Sequence, residues 1–520
     1  MASSTASPDA PRGGAVVAGQ DEDVPVHPVE NTGMLIVGVL LASGIQILDT
    51  TIANVAIPHM QSALGATVDT VTWVLTSYII ASAIAMPATG WLANRIGSRN
   101  LFLASVSSFI LASMACGMAQ NLEQMVIFRA IQGVAGAFLA PLSQSSLLNA
   151  TRPSKHPQMI ALWGMGVIIA PIIGPITGGW LTENLNWRWV FYVNVPLGAI
   201  ALAMLFATLP GHRETARRFD MFGFAMIALA LAALQMMLDR GHSVDWFDSW
   251  EIWIYAGVIL SAGWVAVVHL VTAANPLFDR KLFQDRNFTI GLVFMVALGV
   301  VMLASMALLP PMLQNLFGYG VIDTGMVLMP RGVGVFMSMQ VANLLTRKGV
   351  DPRVMVMAGF MIIAFSLWEM AQWSLQVDTN HIVSTGIVQG LGMGLCFIPL
   401  NIVAFATLPP QLRTEGSSLL NLFRSIGSSI GISLVTAVLA RNIQVSHADL
   451  ASHITSAAGN SMIDVATIDR YQSVGETALA IVNGEVTRQA AMVAYVDDFW
   501  MMMWVTLAVV PLPLLMRRHR

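Results

Sequence analysis

The segment Ile47–Pro58 reads ILDTTIANVAIP and places an aspartate in an otherwise apolar run. The run extends from residue 34 to residue 57, which is long enough for a helix to cross the ~30 Å hydrocarbon core of a bilayer. An ionisable side chain inside that core costs several kcal/mol, so it is a functional candidate. Asp49 therefore indicates both a transmembrane helix and a site within it.

The composition of the whole chain predicts an integral membrane protein. Of its 520 residues 56% are hydrophobic and 11% charged, with a mean hydropathy of +0.68, whereas an average soluble domain is about 25% charged. Cys116 and Cys396 lie far apart in apolar runs and predict no disulfide framework. The chain lacks a GxxxxGK[ST] loop, HExxH and GxSxG, so we expect neither ATP-driven transport nor hydrolase activity, and we predict no enzyme and no metal site.

Apolar runs separated by Gly, Pro and charged residues predict an all-α protein with fourteen transmembrane helices. Their approximate ranges are 34–57, 71–92, 100–119, 123–148, 158–181, 189–208, 220–238, 252–272, 288–309, 323–345, 353–373, 381–405, 415–440 and 498–516. Most of the 26 Lys and Arg residues lie in the N-terminal tail, the loops after even-numbered helices and the C-terminus. Because positive charge marks the cytoplasmic side, we expect both termini in the cytoplasm.

The helices are expected to form two halves related by a repeat. IQGVAGAFLAPL at 131–142 in helix four corresponds to VQGLGMGLCFIPL at 388–400 in helix twelve. Halves related in this way usually move about a binding site at the membrane midplane. The predicted domains are a disordered cytoplasmic tail (1–33), a six-helix bundle (34–208), a linker with two extra transmembrane helices (209–287), a second six-helix bundle (288–516) containing a long periplasmic loop (441–497), and a cytoplasmic tail (517–520).

The depth of each charged residue predicts which of them meet. At ~1.5 Å per residue, Asp49 lies roughly 22 Å and Arg129 roughly 21 Å above the cytoplasmic surface. We therefore expect an ion pair in which burial favours the neutral acid and the guanidinium favours the carboxylate. Such a group suits proton loading and release; the structural alternative is a pair that only holds helix one against helix four.

Two further arginines lie within helices of the second half. Arg331 and Arg424 have predicted depths of roughly 18 Å and 15 Å by the same rise, where they would contact anionic groups of a substrate or backbone carbonyls. Glu369 lies near the outer end of helix eleven, where its side chain is expected to reach the interface. The candidate substrate-binding residues are Gln132, Arg331, Gln389, Asn421 and Arg424.

Helix five reads WGMGVIIAPIIGPITGGWL and combines small residues with prolines. Small residues let helices approach closely, and proline bends a helix. A kinked and closely packed helix is a plausible gate.

These motifs together resemble the major facilitator superfamily, within it the fourteen-helix drug/proton antiporters of the EmrB/QacA type. LDTTIANVAIP resembles the helix-one motif of that branch, with its acid at Asp49. RAIQGVAGA (129–137) resembles the helix-four motif, whose arginine the family associates with proton transfer. GWLANRIGSR (90–99) resembles the loop that governs the conformational switch, with Asn94 where many members have aspartate. GPITGG (174–179) resembles the helix-five antiporter motif; LDRGHSVDWF (238–247), RNFTIG (286–291) and GSSLLNLFRSIGSSIG (416–431) extend the resemblance.

The resemblance implies roles for specific residues. It assigns proton coupling to Asp49 and Arg129. The residues that it and the helix-five pattern assign to the conformational switch or gate are Gly90, Asn94, Arg95, Gly97, Arg99, Gly174, Pro175, Gly178 and Gly179.

We therefore expect a proton-coupled antiporter that exports amphipathic or lipophilic drugs across the inner membrane by alternating access. It needs no cofactor, because the proton gradient drives it, and it binds no nucleic acid. The resemblance also implies a periplasmic adaptor protein and an outer-membrane channel as partners in a tripartite pump. The alternatives are an exporter of one endogenous metabolite or siderophore, an importer built on the same fold, and a non-transporting membrane sensor.

Overall fold

A computed structural model describes residues 23–211, 218–453 and 472–515, and over these residues the chain is all-helical. The helices are α1 (Thr32–Ala63), α2 (Val68–Val71), α3 (Trp73–Ala85), α4 (Thr89–Ile96), α5 (Ser98–Met118), α6 (Leu122–Ala137), α7 (Leu139–Ala150), α8 (His156–Asn184), α9 (Trp189–Tyr192), α10 (Asn194–Thr208), α11 (Met221–Arg240), α12 (Trp250–Thr272), α13 (Arg280–Gln284), α14 (Arg286–Phe317), α15 (Val321–Leu328), α16 (Pro330–Arg347), α17 (Pro352–Met370), α18 (Thr379–Ala406), α19 (Arg413–Ser452) and α20 (Gln472–Val509).

Twelve helices in the described part of the chain are long and apolar enough to cross a membrane, some of them built from two consecutive elements such as α6 and α7. These twelve match all the predicted spans except the fifth and the tenth. At those two places the chain forms α8 and the consecutive helices α15 and α16. The arrangement is consistent with fourteen spans.

The two halves pack their helices in the same pairs. α1 packs against α8 and α3 against α6 in the first half; α14 packs against α19 and α16 against α18 in the second. Buried apolar side chains from both halves, such as Phe109, Trp163, Phe294 and Phe397, form one continuous core. The repeat of helix four in helix twelve is thus accompanied by a repeat of the helix packing.

The two inserted helices differ in what they contact. α11 lies against both halves: the Thr76 hydroxyl donates to Asp239 Oδ2 (2.6 Å), and the Ser433 hydroxyl donates to the Leu238 carbonyl (2.7 Å). α12 packs mainly against α11 and leaves large side chains such as Trp264 exposed. Lipid contact accounts for that exposure, because α12 is apolar enough to span the bilayer.

The N-terminal tail differs from the expected disorder where it is described. The Asp23 carboxylate accepts hydrogen bonds from the Ser154 N–H and hydroxyl, which hold the pKa of Asp23 below its usual value. The His27 N–H donates to the Asn149 carbonyl. The residues just before α1 therefore lie against the end of α7, while residues 1–22 lie outside the described part.

The long loop expected at 441–497 is helical on both sides of residues 454–471. α19 contains 40 residues and α20 contains 38, so each extends nearly 60 Å, about twice the hydrocarbon core. The two helices pack against each other, and His447 Nε2 shares a hydrogen bond with Asn483 Oδ1 (3.0 Å). A polar helix persists here because a neighbouring helix supports it. Residues 454–471 of this expected loop lie outside the described part of the chain.

Candidate functional site

Asp49 and Arg129 form a buried ion pair between α1 and α6. Arg129 Nη1 lies 2.5 Å from Asp49 Oδ2, and both side chains are fully buried. The depth calculation placed the two residues at one level, and the structure brings them into contact. A charge pair in this position needs further hydrogen bonds to offset its desolvation.

Two amides complete the surroundings of the Asp49 carboxylate. Gln132 Nε2 donates to Asp49 Oδ1 at 2.9 Å, and Asn194 Nδ2 donates to the same oxygen at 2.6 Å. Asn194 also donates to the Ser113 hydroxyl (3.0 Å). Sequence reasoning proposed Gln132 as a substrate ligand, whereas the structure places it beside the ion pair. It did not find Asn194, whose only signal is an amide at the start of the apolar helix α10.

The Arg129 guanidinium is held from several sides. Its Nε donates to the Val74 carbonyl (3.0 Å), and its Nη1 also donates to Gln132 Oε1 (2.8 Å). The guanidinium carbon lies 4.5 Å from the centre of the Tyr78 ring, a favourable cation–π contact. With these partners the position of Arg129 does not depend on the Asp49 carboxylate alone.

Glycines on α6 make this geometry possible. A Cβ on Gly133 would collide with the carbonyl oxygen of Tyr78, and one on Gly136 would lie 2.6 Å from the Tyr78 hydroxyl. Without side chains at these positions α6 packs directly on α3 and presents Arg129 to the Val74 carbonyl. The glycines in the helix-four motif thus set the position of the ion pair.

A second polar cluster joins the two halves. Gln144 of α7 accepts hydrogen bonds from the Ser417 hydroxyl (2.7 Å) and Asn421 Nδ2 (3.2 Å), and its own Nε2 donates to Asn401 Oδ1 (2.8 Å). Arg424 Nη2 donates to Asn421 Oδ1 (3.2 Å). Sequence reasoning named Asn421 and Arg424 but missed Gln144 and Asn401.

This cluster borders a narrow space between the halves. The space is lined by Gln144, Trp163, Met295, Phe397, Asn401, Leu420, Asn421 and Arg424, and it has almost no room for even a water molecule. Sites for drug-sized ligands typically exceed ~300 Å³. This conformation is therefore closed to such a ligand at the place where the halves meet.

The residues of the switch motif (90–99) lie around the turn between α4 and α5, at one end of the helix bundle. A Cβ on Gly90 would lie 2.9 Å from the Cβ of the buried Glu415 in α19, so this motif touches the other half. Gly97 has φ 91°, a left-handed conformation that favours glycine. Arg99 Nη2 donates to the Phe206 carbonyl (2.8 Å), whereas Arg95 is exposed and Asn94 is half-buried.

The α8 motif lies between the two halves. A Cβ on Gly178 would lie 3.2 Å from Ile52 of α1, and one on Gly174 would collide with Thr51. On the other side, a Cβ on Gly179 would lie 2.9 Å from Val321 of α15. Pro175 lies inside the same helix and removes one backbone hydrogen bond. The expected gate residues thus lie where α8 contacts both halves.

In the second half, Arg331 packs against the part of α18 that carries Gln389: a Cβ on the neighbouring Gly390 would collide with the Arg331 carbonyl, and Arg331 Nη2 lies 3.7 Å from the sulfur of Met393, one turn further along. Arg331 Nη2 donates to the Ser305 hydroxyl (2.8 Å), and both amide atoms of Gln389 are buried without a hydrogen-bond partner. At the C-terminal end of α17, Glu369 Oε1 lies 3.4 Å from His381 Nε2. No group of three His, Cys, Asp or Glu residues within the described ranges could hold a metal ion.

Comparison with known proteins places this architecture in a family. A family model described as Major Facilitator Superfamily matches residues 39–432. The chain is 35% identical over 479 residues to the multidrug export protein EmrB of Escherichia coli (strain K12), covering 91% of this chain and 93% of that protein. It is 34% identical over 463 residues to the fatty acid resistance protein FarB of Neisseria gonorrhoeae, covering 88% and 91%.

Solved structures show the same fold at low identity. The crystal structure of the human organic anion transporter MFSD10 matches with a TM-score of 0.55 and 10% identity, over 91% of this chain and 99% of that one. The proton:xylose symporter XylE matches with a TM-score of 0.57 and 12% identity, over 92% and 96%.

The close packing of α6 on α3 predicts a penalty for Gly133→Ala. Its Cβ would collide with the Tyr78 carbonyl, so we expect a loss of about 1–3 kcal/mol in the free energy of unfolding. The matched control is Gly257→Ala in α12, where no atom lies within 4 Å of the added Cβ. Thermal unfolding of the purified variants measures the difference. Equal unfolding temperatures would contradict the packing argument.

The Gln144 cluster is expected to hold the two halves together at one end. Gln144→Ala removes its three hydrogen bonds to the second half, so the closed conformation should become less populated. Electron paramagnetic resonance between spin labels at the exposed Arg95→Cys and Gln411→Cys, with both native cysteines replaced, would show longer distances. Gln124→Ala, an exposed glutamine 20 residues before Gln144 and hence about 30 Å away along the same span, serves as the control. An unchanged distance distribution in Gln144→Ala would argue against this role.

Proposed function

The chain belongs to the major facilitator superfamily, multi-pass membrane transporters without enzymatic activity, and we propose that it is a proton-coupled antiporter exporting amphipathic or lipophilic compounds. Two relatives are named for multidrug export and fatty acid resistance, which supports export and small-molecule substrates. The observation that carries proton coupling is the buried Asp49–Arg129 pair. No cofactor enters the proposal, and the membrane is the inner membrane with both termini in the cytoplasm.

The Asp49 site has the properties that a proton carrier needs. Its carboxylate can take up and release a proton, and it accepts hydrogen bonds from Arg129, Gln132 and Asn194. These donors come from α6 and α10, so a movement of either helix relative to α1 changes the contacts of the carboxylate. The proposal links conformational change to proton binding through these contacts.

The proposed cycle couples that link to alternating access. Asp49 gains a proton from the outside as the substrate leaves, the halves then move, and the proton leaves to the cytoplasm while a new substrate binds. One proton moving through 100 mV supplies roughly 2.3 kcal/mol, enough for an approximately fiftyfold gradient of a neutral substrate. The Gln144 cluster and the glycines of α8 are the contacts that open and re-form.

The long helices α19 and α20 support the second part of the proposal, docking of a periplasmic adaptor. Their packed extensions continue well past the thickness of the hydrocarbon core and expose apolar side chains, including Val445 and Ile481. Exposed apolar residues on a protruding hairpin are typical of a protein interface. With an outer-membrane channel the adaptor would complete a tripartite pump.

Asp49→Asn is expected to abolish uphill efflux, because an amide cannot carry the proton. The variant also leaves Arg129 buried without its carboxylate, which costs about 3–5 kcal/mol when a buried pair is broken. We therefore pair it with the double variant Asp49→Asn/Arg129→Gln, which removes both charges and should regain stability but not transport. Substrate efflux and substrate-dependent proton movement in proteoliposomes with an imposed pH gradient are the readouts. Active efflux by the folded double variant would rule out the assigned carrier.

Adaptor docking is testable without changing the transport core. Val445→Asp with Ile481→Asp should leave substrate-dependent proton movement in proteoliposomes unchanged and should lower drug tolerance of cells expressing the full pump. Val445→Leu with Ile481→Leu keeps both positions apolar and serves as the control. Unchanged tolerance with the double variant would show that this hairpin is not the docking surface.

A further inference from the structure

The two halves carry corresponding polar clusters with different charges. In the first half Gly133 of α6 packs on the backbone of Tyr78, and in the second half Gly390 of α18 packs on the backbone of Arg331; in both, an added Cβ would collide with the carbonyl oxygen. A glutamine precedes each glycine in the repeated motif. Arg331 thus occupies in the second half the position that Tyr78 occupies in the first.

The first helix of each half supplies a partner to the guanidinium. Asp49 lies 17 residues after the first residue of α1, and Ser305 lies 19 residues after the first residue of α14; both helices contain 32 residues. Arg129 donates to Asp49, whereas Arg331 donates to Ser305. The serine accepts the hydrogen bond but carries no charge, so the second half has the cation without the anion.

Arg331 is therefore a buried cation with incomplete bonding. Its residue is 3% exposed, its Nε has no partner, and its other contact is the Met393 sulfur at 3.7 Å. No Asp or Glu lies within ion-pair distance of it among the described residues. Arginine stays protonated in proteins, and an unpaired buried charge is costly. The site is short of one negative charge.

Gln389 supplies the second feature of a binding site. Its side chain is fully buried, and neither its Nε2 nor its Oε1 has a hydrogen-bond partner. An amide that gives up its hydrogen bonds to water without replacing them costs free energy. Gln132, the counterpart of Gln389 in the first half, donates its side-chain amide to the Asp49 carboxylate. A carboxylate brought by a ligand would satisfy both Arg331 and Gln389.

We propose that Arg331, Gln389 and Ser305 form a binding site for the anionic group of an amphipathic substrate. A carboxylate fits best, because its two oxygens match the planar fork of a guanidinium. Gln389 Nε2 is a further donor, and Ser305 holds the guanidinium by accepting a hydrogen bond from it. The inference rests on the proposed export function and names its substrate class: lipophilic anions in preference to lipophilic cations.

The test compares two probes of equal chain length, dodecanoate and dodecyltrimethylammonium. Binding is measured by isothermal titration calorimetry on the full-length protein in lipid nanodiscs, in a buffer of low ionic strength that contains neither chloride nor carboxylates. Ser305→Asp gives Arg331 an internal carboxylate, and Ser305→Asn has the same shape without the charge. Dodecanoate should bind the wild type at least tenfold more tightly than dodecyltrimethylammonium. Ser305→Asp and Arg331→Gln should each weaken dodecanoate binding at least tenfold, and Ser305→Asn less than threefold.

A stability measurement keeps the test decisive if a variant folds poorly. Ser305→Asp should raise the unfolding temperature above that of Ser305→Asn, because it supplies the missing counter-ion. Equal dodecanoate binding by the two variants would overturn the proposal. Two results together would show a site for an inorganic anion only. Chloride would raise the unfolding temperature of the wild type but not of Ser305→Asp, and dodecanoate binding would not depend on Arg331. Equilibrium binding needs no proton gradient, so these outcomes are independent of whether Asp49 couples transport.

Discussion

The structure of the first half follows from one constraint, that a carboxylate buried in hydrocarbon must meet a cation and enough donors. Asp49 satisfies it with Arg129, Gln132 and Asn194, which come from α6 and α10. The guanidinium can reach α1 only because Gly133 and Gly136 let α6 pack directly on α3. The sequence of the helix-four motif is therefore explained by the ion pair: the arginine, the glutamine and the glycines all serve the same contact.

The hydrogen bonds between the halves are weaker than the Asp49–Arg129 ion pair. The Gln144 cluster joins them through uncharged amides and hydroxyls, and each such hydrogen bond contributes about 0.5–1.5 kcal/mol. Three of them are of the same order as the roughly 2.3 kcal/mol that a proton supplies at 100 mV. A charged pair at this place would be far more costly to separate. The uncharged hydrogen bonds of the Gln144 cluster thus have a strength that suits opening and closing in the proposed cycle.

The sequence predicted how deep in the membrane a residue lies, but it did not predict which side of its helix the residue faces. Apolar run lengths located the spans, and the rise per residue placed Asp49 and Arg129 at one level, so their contact was foreseen. Gln144, Asn401 and Asn194 were missed because a polar residue in an apolar helix gives no sign of which neighbour it faces. The extensions of α19 and α20 were taken for a loop, since hydropathy falls there while helix formation continues through packing between the two helices.

The difference in charge between the halves affects the energetics of the proposed exchange. If the first half carries a proton inwards and the second carries an anion outwards, both movements transfer positive charge into a negative cytoplasm. Two elementary charges at 100 mV supply roughly 4.6 kcal/mol, against roughly 2.3 for a neutral substrate. The limiting gradient then rises from about fiftyfold to about two thousandfold before any pH difference is counted. A lipophilic cation would gain nothing from the potential in the same exchange. Arg331 without a carboxylate therefore favours the class of substrate that this driving force exports most effectively.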